Sequence, residues 1–281
     1  MTSDPHMWSS RAARPEMEGG MQYHIRCKRG DIAKYVLLPG DPERVDVIAA
    51  EWTEHRKIAD FRGHRTFTGR IGDTEISCCS TVSGSPSAIN AFEELAELGA
   101  DTFIRVGSTG AIQEHIKLGD LIISTGAMRH DGTSQYYIES SYPAFASYEV
   151  VAALVEACEA LAVPYHVGVS CSTASWYCGQ GRPGFGGYTQ SFFDNKIADL
   201  NKARILNFDM ESAAIFTLSN LYGFRDGSIC VAIANRITDE LRFVGMENCI
   251  KASNLATTIL HSWDKAKLAK NKKHWYPSLI R

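Results

Sequence analysis

An arginine within an apolar run gives the clearest chemical signal in the sequence. Arg105 begins the segment RVGSTG, residues 105–110. A buried guanidinium without a partner is costly, so we expect either a carboxylate or an anionic ligand beside it. Ser108 and Thr109 add hydroxyl donors, and the two glycines leave backbone N–H groups accessible for a concave anion site at the end of the strand. The segment therefore predicts an anion-binding site or a structural arginine–carboxylate pair.

A second candidate for anion binding joins a strand to a helix. In residues 37–45, LLPGDPERV, Gly40 ends an apolar run, Asp41 can cap the next helix and Pro42 suits its first position. Backbone N–H groups at a helix start attract anions, and Arg44 lies one turn into the helix. The same residues are also ordinary punctuation between a strand and a helix, so this segment alone leaves both interpretations open.

Composition and charge argue against several classes of function. The chain has 281 residues and a formal net charge of −3, and its basic residues form no long block, which argues against binding to nucleic acid or to a membrane. None of the eight cysteines lies in a C-x-x-C motif, and we expect buried, reduced thiols. The nine histidines show no metal-binding spacing, so no catalytic metal is expected.

A glycine-rich stretch, residues 178–187, predicts a loop near or over a site. Its sequence CGQGRPGFGG contains a match to the G-x-G-x-x-G pattern of dinucleotide-binding proteins. The match lies well beyond the preceding predicted strand, and Pro183 interrupts the start of any following helix. A dinucleotide cofactor is therefore not expected.

Short apolar runs rich in β-branched residues alternate with helical patterns along the chain. The predicted strands cover residues 35–38, 76–81, 102–106, 121–125, 167–171 and 229–234. The predicted helices cover residues 42–52, 86–98, 148–161, 210–221 and 248–267. This alternation predicts an α/β fold with a central mixed sheet flanked by helices on both sides. Ligands bind at the carboxyl ends of strands in such sheets.

The N-terminal residues predict neither a secretory signal nor a membrane span, because they are polar and lack a continuous apolar core. Ser9, Ser10, Arg11 and Arg14 lean faintly towards an organelle-targeting segment. We expect residues 1–20 to be a flexible N-terminal extension, residues 21–281 to be one domain, and the protein to be cytoplasmic.

Five segments together resemble the nucleoside phosphorylase I family, in particular the bacterial-type uridine phosphorylases. They are PGDPERV, the arginine in HRTFT, RVGSTGAIQ, YCGQGR and FDMESAA. Each is modest alone, but their order and spacing are specific, and the match runs from about residue 23 to the last helix. The resemblance implies a single-domain nucleoside phosphorylase fold. It also implies a homodimer with shared active sites, or a hexamer formed as a trimer of dimers.

The resemblance also implies ligands for phosphate and ribose. The implied phosphate-binding residues are Gly40, Arg44, Arg65, Arg105, Ser108 and Thr109. The implied ribose-binding residues are His24, Thr109, Met210 and Glu211. Arg65 and His24 are implied to serve the neighbouring subunit's site, and the Glu211 carboxylate to accept hydrogen bonds from the 2′- and 3′-hydroxyls. Ser108 replaces the threonine of the family, and Asp209 replaces a usual glutamate.

A further set is implied to bind the base. Its members are Gly110, Trp176, Gln180, Arg182, Ile233, Ala234 and Arg236. An amide such as that of Gln180 presents one donor and one acceptor to a uracil edge, and the Arg182 guanidinium offers donors to a carbonyl. Trp176 replaces a phenylalanine. Purine-specific relatives place a protonating aspartate near Asn235, so its absence here favours pyrimidines.

These implied roles predict reversible phosphorolysis of uridine to uracil and ribose 1-phosphate. Inorganic phosphate is then a co-substrate, and no cofactor is expected. The interface cation of the bacterial enzymes is not expected either, because Thr66 replaces its glutamate ligand; Ser85 is a second departure, at a usual glycine. The alternatives are a purine nucleoside phosphorylase, a nucleosidase that uses water, and a catalytically silent nucleoside-binding homologue.

Overall fold

The computed structural model describes residue 13, residues 15–17 and residues 19–280. Most of the predicted extension, residues 1–20, lies outside these described residues, including Ser9, Ser10, Arg11 and Arg14. The chain forms two compact units, one up to Phe103 and one from Ile104 onward. The single domain over residues 21–281 stays a prediction.

The first unit combines parallel and antiparallel strands with two helices. Its elements are β1 Glu16–Met17, β2 Met21–Gln22, β3 Tyr35–Pro39, α1 Pro42–Ala50, β4 Glu54–Phe61, β5 His64–Ile71, β6 Thr74–Cys79 and α2 Ser85–Glu97. Strands β1 and β2 form an antiparallel pair. Strand β3 pairs in parallel with β6, and β6, β5 and β4 follow as antiparallel neighbours. The apolar strand β3 is buried along its whole length.

The second unit contains a larger mixed sheet. Strand β7, Thr102–Ala111, runs into it from the first unit, and its further elements are β8 Leu121–His130, β9 Ala144–Phe145, α3 Tyr148–Leu161, β10 Tyr165–Thr173, α4 Lys196–Lys202, β11 Asn207–Asp209, α5 Ser212–Tyr222, β12 Arg225–Asn235, β13 Glu240–Leu241 and α6 Met246–Ala269. The strand order is β13-β12-β8-β10-β11-β7, with β8, β10 and β11 parallel. The predicted α/β class with a mixed sheet is confirmed.

The longest strands absent from the sequence prediction are β4 and β5, with eight residues each. Strand β4 has the sequence EHRKIADF and is largely exposed, so it shows no apolar alternation. It joins β5 through Arg62 and Gly63, whose φ angles are 53° and 84°. Two consecutive positive φ angles are the mark of the tight turn that matches strand twist in a hairpin. This turn is the sequence signal that could have identified the pair.

The cysteine prediction is confirmed for seven of the eight side chains. All eight cysteines are free thiols and seven are buried. Cys178 is the exception, because it lies half-exposed in the glycine-rich loop. Among the described residues, no helix is long and apolar enough to span a membrane.

Asp226, on β12, is a buried carboxyl that forms no ion pair among the described residues. Its Oδ1 accepts the Ser147 N–H at 2.8 Å, whereas Oδ2 has no partner among the described residues. Burial, opposed in part by the hydrogen bonds from Ser147, raises the pKa of the Asp226 carboxyl well above its usual range. The folded protein therefore binds this proton more tightly than the unfolded chain does.

We expect Asp226→Asn to raise the free energy of unfolding at pH 7.5 by about 1–3 kcal/mol. A raised carboxyl pKa contributes stability below its unfolded value of about 4, and this contribution is lost as the pH rises towards the folded value. The gain from Asn should accordingly be smaller at pH 4.5. Urea unfolding at both pH values measures it, with the exposed Asp194→Asn as control. An equal gain at both pH values would contradict the assignment.

Candidate active site

The segment around Gly40 has the predicted local structure. Gly40 lies between β3 and α1, and Pro42 is the first residue of the helix. The Asp41 side chain accepts the Glu43 N–H at 2.9 Å, as an N-cap should. Arg44 is half-buried in the first turn of α1. The helix start and its arginine are in place, and their phosphate role stays a prediction.

Arg65, on β5, lies beside the same helix within its own chain. Its Nε donates to Asp60 at 2.9 Å, a guanidinium nitrogen pairs with Asp46, and Nη1 is 3.5 Å from the carbonyl oxygen of Pro42. The hydrogen bond to Asp46, followed by that to Asp60, raises the Arg65 pKa. The side chain predicted to serve a neighbouring subunit is thus held by two carboxylates of its own unit.

His24 has a partner that the sequence did not predict. The N–H groups of His24 and Ile25 both donate to the Glu94 carboxylate at 2.9 Å, and Nδ1 of His24 lies 2.7 Å from Glu94 Oε1. Glu94 lies on α2, seventy residues along the chain. These contacts fix the backbone and the ring of His24 together. No local sequence pattern joins the two residues.

Arg105 is buried between two carboxylates of the second unit. Its Nε donates to Asp209 at 3.0 Å and its Nη2 to Glu211 at 2.5 Å. All three side chains are at most 7% exposed. Burial by itself lowers the pKa of Arg105, but the neighbouring negative groups, of which Glu211 contributes most, outweigh it and raise the pKa. The carboxylate partner expected from the sequence is therefore present twice.

The structure corrects the geometry predicted for residues 105–110. Strand β7 does not end at Val106 but continues to Ala111, and β11 pairs with it through Phe208 opposite Gly110. The glycines are therefore part of a strand and form no concave loop of N–H groups. Side chains two apart share one face of a strand, so Arg105, Gly107 and Thr109 lie on the same face. A Cβ at Gly107 would lie 3.1 Å from Arg105 Nη2.

The two hydroxyl residues of this segment differ in environment. The Thr109 hydroxyl donates to the carbonyl oxygen of Phe208 and accepts from Asn207 Nδ2 at 2.8 Å. Ser108 is half-buried on the opposite face of the strand. Thr109 is thus bonded to β11, the strand that ends at Asp209. Ser108 points away from Arg105 and Thr109.

The segment Asp209–Ser212 starts α5 two residues later than predicted. The helix begins at Ser212, so Met210 and Glu211 lie in the turn before it. Asp209 Oδ2 accepts the Ser212 N–H at 2.8 Å, and the Met210 N–H is 3.2 Å from Glu211 Oε2. This turn directs the Glu211 carboxylate to Arg105. Arg105, Thr109, Met210 and Glu211 are therefore brought together around the ends of β7 and β11.

The predicted base-binding residues form a second cluster in the same unit. Arg182 Nη1 donates to Gln180 Oε1 at 2.7 Å and to the Trp176 carbonyl at 2.9 Å, and its guanidinium lies 3.7 Å from the centre of the Trp176 ring. Arg236 Nη1 donates to the Gln180 carbonyl at 2.8 Å. Burial and the nearby charge of Arg236 lower the Arg182 pKa to about 10. Arg182 is still protonated at neutral pH.

The remaining base-site residues line the same region. A Cβ at Gly110 would lie 3.6 Å from Arg236 Cγ and 3.9 Å from Ala234 Cβ, so these three residues are neighbours. Ile233 and Ala234 are half-buried on β12. One face of Trp176 packs on Arg182, and 49% of its surface is exposed.

Asn235 is fully committed to the backbone around it. Its Nδ2 donates to the carbonyl oxygens of Gln113 and Ile116, both at 2.9 Å. Its Oδ1 accepts the N–H groups of Ile237 and Thr238 at 2.9 and 3.3 Å. The side chain is buried and offers no donor that could protonate a base. The sequence analysis predicts that the protonating aspartate of purine-specific relatives is absent here. The hydrogen bonds of Asn235 show that this residue has a structural role instead.

Two departures from the bacterial pattern lie inside the first unit. Thr66 is fully buried and its hydroxyl donates to Cys79 Sγ at 3.3 Å. Ser85 is the buried first residue of α2, after Gly84 with a φ of 92°. Over the residues that the structure describes, no group of three or more histidine, cysteine or acidic side chains could hold a metal ion.

Comparison with known proteins places this arrangement in a family. The sequence model of the phosphorylase superfamily matches residues 34–261. The chain belongs to the phosphorylase superfamily. The resemblance to nucleoside phosphorylases is thereby confirmed at the level of family and fold.

Individual members of the superfamily are similar over most of the chain. A uridine phosphorylase of Thermococcus kodakarensis is 52% identical over 268 residues, which cover 95% of this chain and 97% of that protein. A uridine phosphorylase of Klebsiella aerogenes is 36% identical and covers 78% of this chain and 88% of its own. A guanosine phosphorylase of Halorubrum lacusprofundi is 34% identical, with 77% and 84% covered.

Gly107 offers a test of the Arg105 geometry. A methyl group at this position would approach Cys230 Sγ to 2.7 Å and Arg105 Nη2 to 3.1 Å. We expect Gly107→Ala to lower the melting temperature and, if Arg105 binds phosphate as the resemblance implies, to raise the KM for phosphate about tenfold or more, because small displacements of a binding group are costly. Thermal unfolding and initial rates measure the two effects.

The double variant Gly107→Ala/Cys230→Ala separates the effect on melting temperature from the effect on the phosphate KM. Removing Sγ relieves the closer contact, so the melting temperature should recover, while Arg105 stays displaced and the phosphate KM stays high. Full recovery of the KM together with the melting temperature would show that Arg105 is not displaced by the methyl group.

Proposed function

We propose that the chain catalyses the reversible phosphorolysis of uridine. Phosphate attacks the anomeric carbon, the C1′–N1 bond breaks, and its electron pair leaves with the base, giving uracil and ribose 1-phosphate. The observation that carries this proposal is the cluster of Gln180, Arg182 and Arg236. The similarity to uridine phosphorylases over nearly the whole chain supports it independently.

The base cluster suits a leaving group that carries negative charge. Uracil leaves with its charge spread over two carbonyl oxygens, and two guanidinium groups in one partly buried region favour such charge. Arg182 already has the geometry of a donor, since its Nη1 points at an acceptor of the Gln180 amide. A purine needs protonation instead, and Asn235 cannot supply a proton.

The arginine–carboxylate cluster suits the other half of the reaction. Glu211 directly precedes α5, and its carboxylate pairs with Arg105. In this position the carboxylate can also accept hydrogen bonds from ribose hydroxyls. Arg105 keeps N–H donors beyond the two used by the carboxylates, and these can address an anion. Positioning of the phosphate and stabilisation of the departing base are then the main catalytic contributions, and no covalent intermediate is needed.

We further propose a homodimer, alone or within a hexamer, in which His24 and Arg65 serve the neighbouring site. The pairing of both residues with carboxylates would hold them ready for that role. A cytoplasmic location is supported by eight free thiols, since disulfides prevail in oxidising compartments. Phosphate is proposed as a co-substrate, without any cofactor.

A panel of nucleosides tests the proposed reaction. Uridine, 2′-deoxyuridine, thymidine, inosine and guanosine are incubated with the full chain, with and without inorganic phosphate, and free base is measured by chromatography. We expect base release from uridine that depends on phosphate. Turnover of inosine or guanosine but not uridine would favour a purine phosphorylase, and release without phosphate would favour a nucleosidase.

A further inference from the structure

Asp209 makes an unusually complete set of contacts for a residue at the edge of the site. Its Oδ2 accepts Arg105 Nε at 3.0 Å, the Ser212 N–H at 2.8 Å and the Ser212 hydroxyl. Its Oδ1 accepts the Ser172 hydroxyl. A carboxylate offers about four lone-pair positions, and the side chain is 1% exposed. The carboxylate therefore has little capacity left to bind a ribose hydroxyl.

These contacts hold Asp209 from three elements at once. Ser172 stands beside it as its partner on the neighbouring parallel strand β10. Ser212 is the first residue of α5, and its N–H donates to the same carboxylate, so Asp209 accepts the first backbone donor of that helix. Arg105 comes from β7. Asp209 is thereby fixed more firmly than a side chain that has to move with a substrate.

The consequence for Arg105 is a fixed orientation of its guanidinium plane. Asp209 holds it at Nε and Glu211 holds it at Nη2. Gly107 leaves the space in which the plane lies, since a Cβ there would be 3.2 Å from Arg105 Cζ. The donors that remain, on Nη1 and Nη2, consequently point in set directions.

The net charge of Arg105, Asp209 and Glu211 is unfavourable for binding an anion. Two carboxylates around one guanidinium give a local formal charge of −1, which repels phosphate. If Asp209 acted only as a countercharge, its removal would strengthen phosphate binding. If Asp209 positions Arg105, its removal should instead weaken phosphate binding. The affinity lost when the guanidinium is no longer held in place then exceeds the affinity gained by removing a negative charge.

We propose that Asp209 is a positioning residue that orients Arg105 towards phosphate without touching the substrate. This inference rests on the proposed phosphorolysis and adds a role for the residue that departs from the usual glutamate. It assigns the carboxylate to the arginine, to Ser212 at the start of α5 and to the Ser172 hydroxyl rather than to the ribose.

Kinetics of Asp209→Ala and Asp209→Asn test the sign of the effect. We expect Asp209→Ala to raise the KM for phosphate about tenfold to a hundredfold, with a smaller change in the KM for uridine. Asp209→Asn keeps an oxygen acceptor that can face Arg105, so it should raise the KM for phosphate less. Asp209→Glu restores the charge and should recover most of the phosphate affinity. A lower phosphate KM in Asp209→Ala and Asp209→Asn would overturn the proposal, as would an unchanged one.

Ser172→Ala is the variant to use if Asp209→Ala does not fold. It removes a hydroxyl donor to Asp209 and leaves every charge in place, so a countercharge role predicts an unchanged phosphate KM. The positioning role predicts a rise in that KM. An unchanged value in Ser172→Ala would therefore contradict the proposal.

Asp264→Ala is the control for loss of a partly buried ion pair. Asp264, on α6, pairs with Arg225 at 2.7 Å and with Lys267 at 2.9 Å. Its loss should lower the melting temperature and leave both KM values unchanged. A phosphate KM that rises equally in Asp264→Ala would show a general effect of stability and overturn the positioning role. Wild-type protein without phosphorolysis would refute the proposed function instead.

Discussion

Replacing Arg105 by alanine is expected to lower kcat/KM for uridine phosphorolysis about a thousandfold. The guanidinium pairs with both Asp209, at 3.0 Å, and Glu211, at 2.5 Å. Its loss removes a donor to the anion and also leaves two buried carboxylates facing each other. Breaking a buried pair in this way costs about 3–5 kcal/mol of folding free energy. Initial rates and urea unfolding are measured on the same preparation.

Arg105→Lys separates charge from geometry. A lysine retains the positive charge, but its point-like ammonium cannot hold two carboxylates at separate edges. We expect Arg105→Lys to recover much of the stability and little of the activity. A folded Arg105→Ala protein with activity within about tenfold of wild type would contradict the assignment, because an oxyanion donor is normally worth more.

Replacing Arg182 by alanine is expected to lower kcat/KM for uridine about a hundredfold to a thousandfold. Arg182 is the donor that the structure places against Gln180 and beneath Trp176. Its loss leaves the charge of the departing uracil with fewer donors and frees the amide of Gln180 to reorient. The exposed Arg29→Ala, whose side chain is 77% exposed, serves as control and should be unaffected.

A substrate with a better leaving group sharpens this prediction. The fluorine of 5-fluorouridine makes the departing base a weaker base, so less charge stabilisation is needed in the transition state. The loss in Arg182→Ala should be smaller for 5-fluorouridine than for uridine. Equal losses for both nucleosides would mean that Arg182 binds the base without stabilising its departure.

The sequence predicted the identity of the site residues better than their partners. An arginine in an apolar run requires a carboxylate or a ligand, and this rule holds for Arg105. The choice of Asp209 depends on strand pairing across 104 residues of sequence, which no local pattern encodes. The same limit applies to His24 and Glu94, which lie seventy residues apart in the sequence and meet only in the folded chain.

The two wrong boundaries at the site have different physical causes. The strand was predicted to end at Val106, where the apolar run stops, but pairing with β11 extends it through Ala111. The helix was predicted from Met210, but it begins at Ser212, whose N–H donates to Asp209. The strand boundary depends on a tertiary contact that forms only in the folded chain, whereas the contact at the helix boundary is local and joins residues three apart.

The most direct test of the proposed chemistry follows phosphorus. The full chain is incubated with uridine and inorganic phosphate, and ³¹P NMR is recorded while uracil is measured on the same sample. We predict a ribose 1-phosphate signal that grows in equal amount to free uracil, at the expense of phosphate. Uracil released with free ribose and no loss of phosphate, or no uracil at all, would contradict the account.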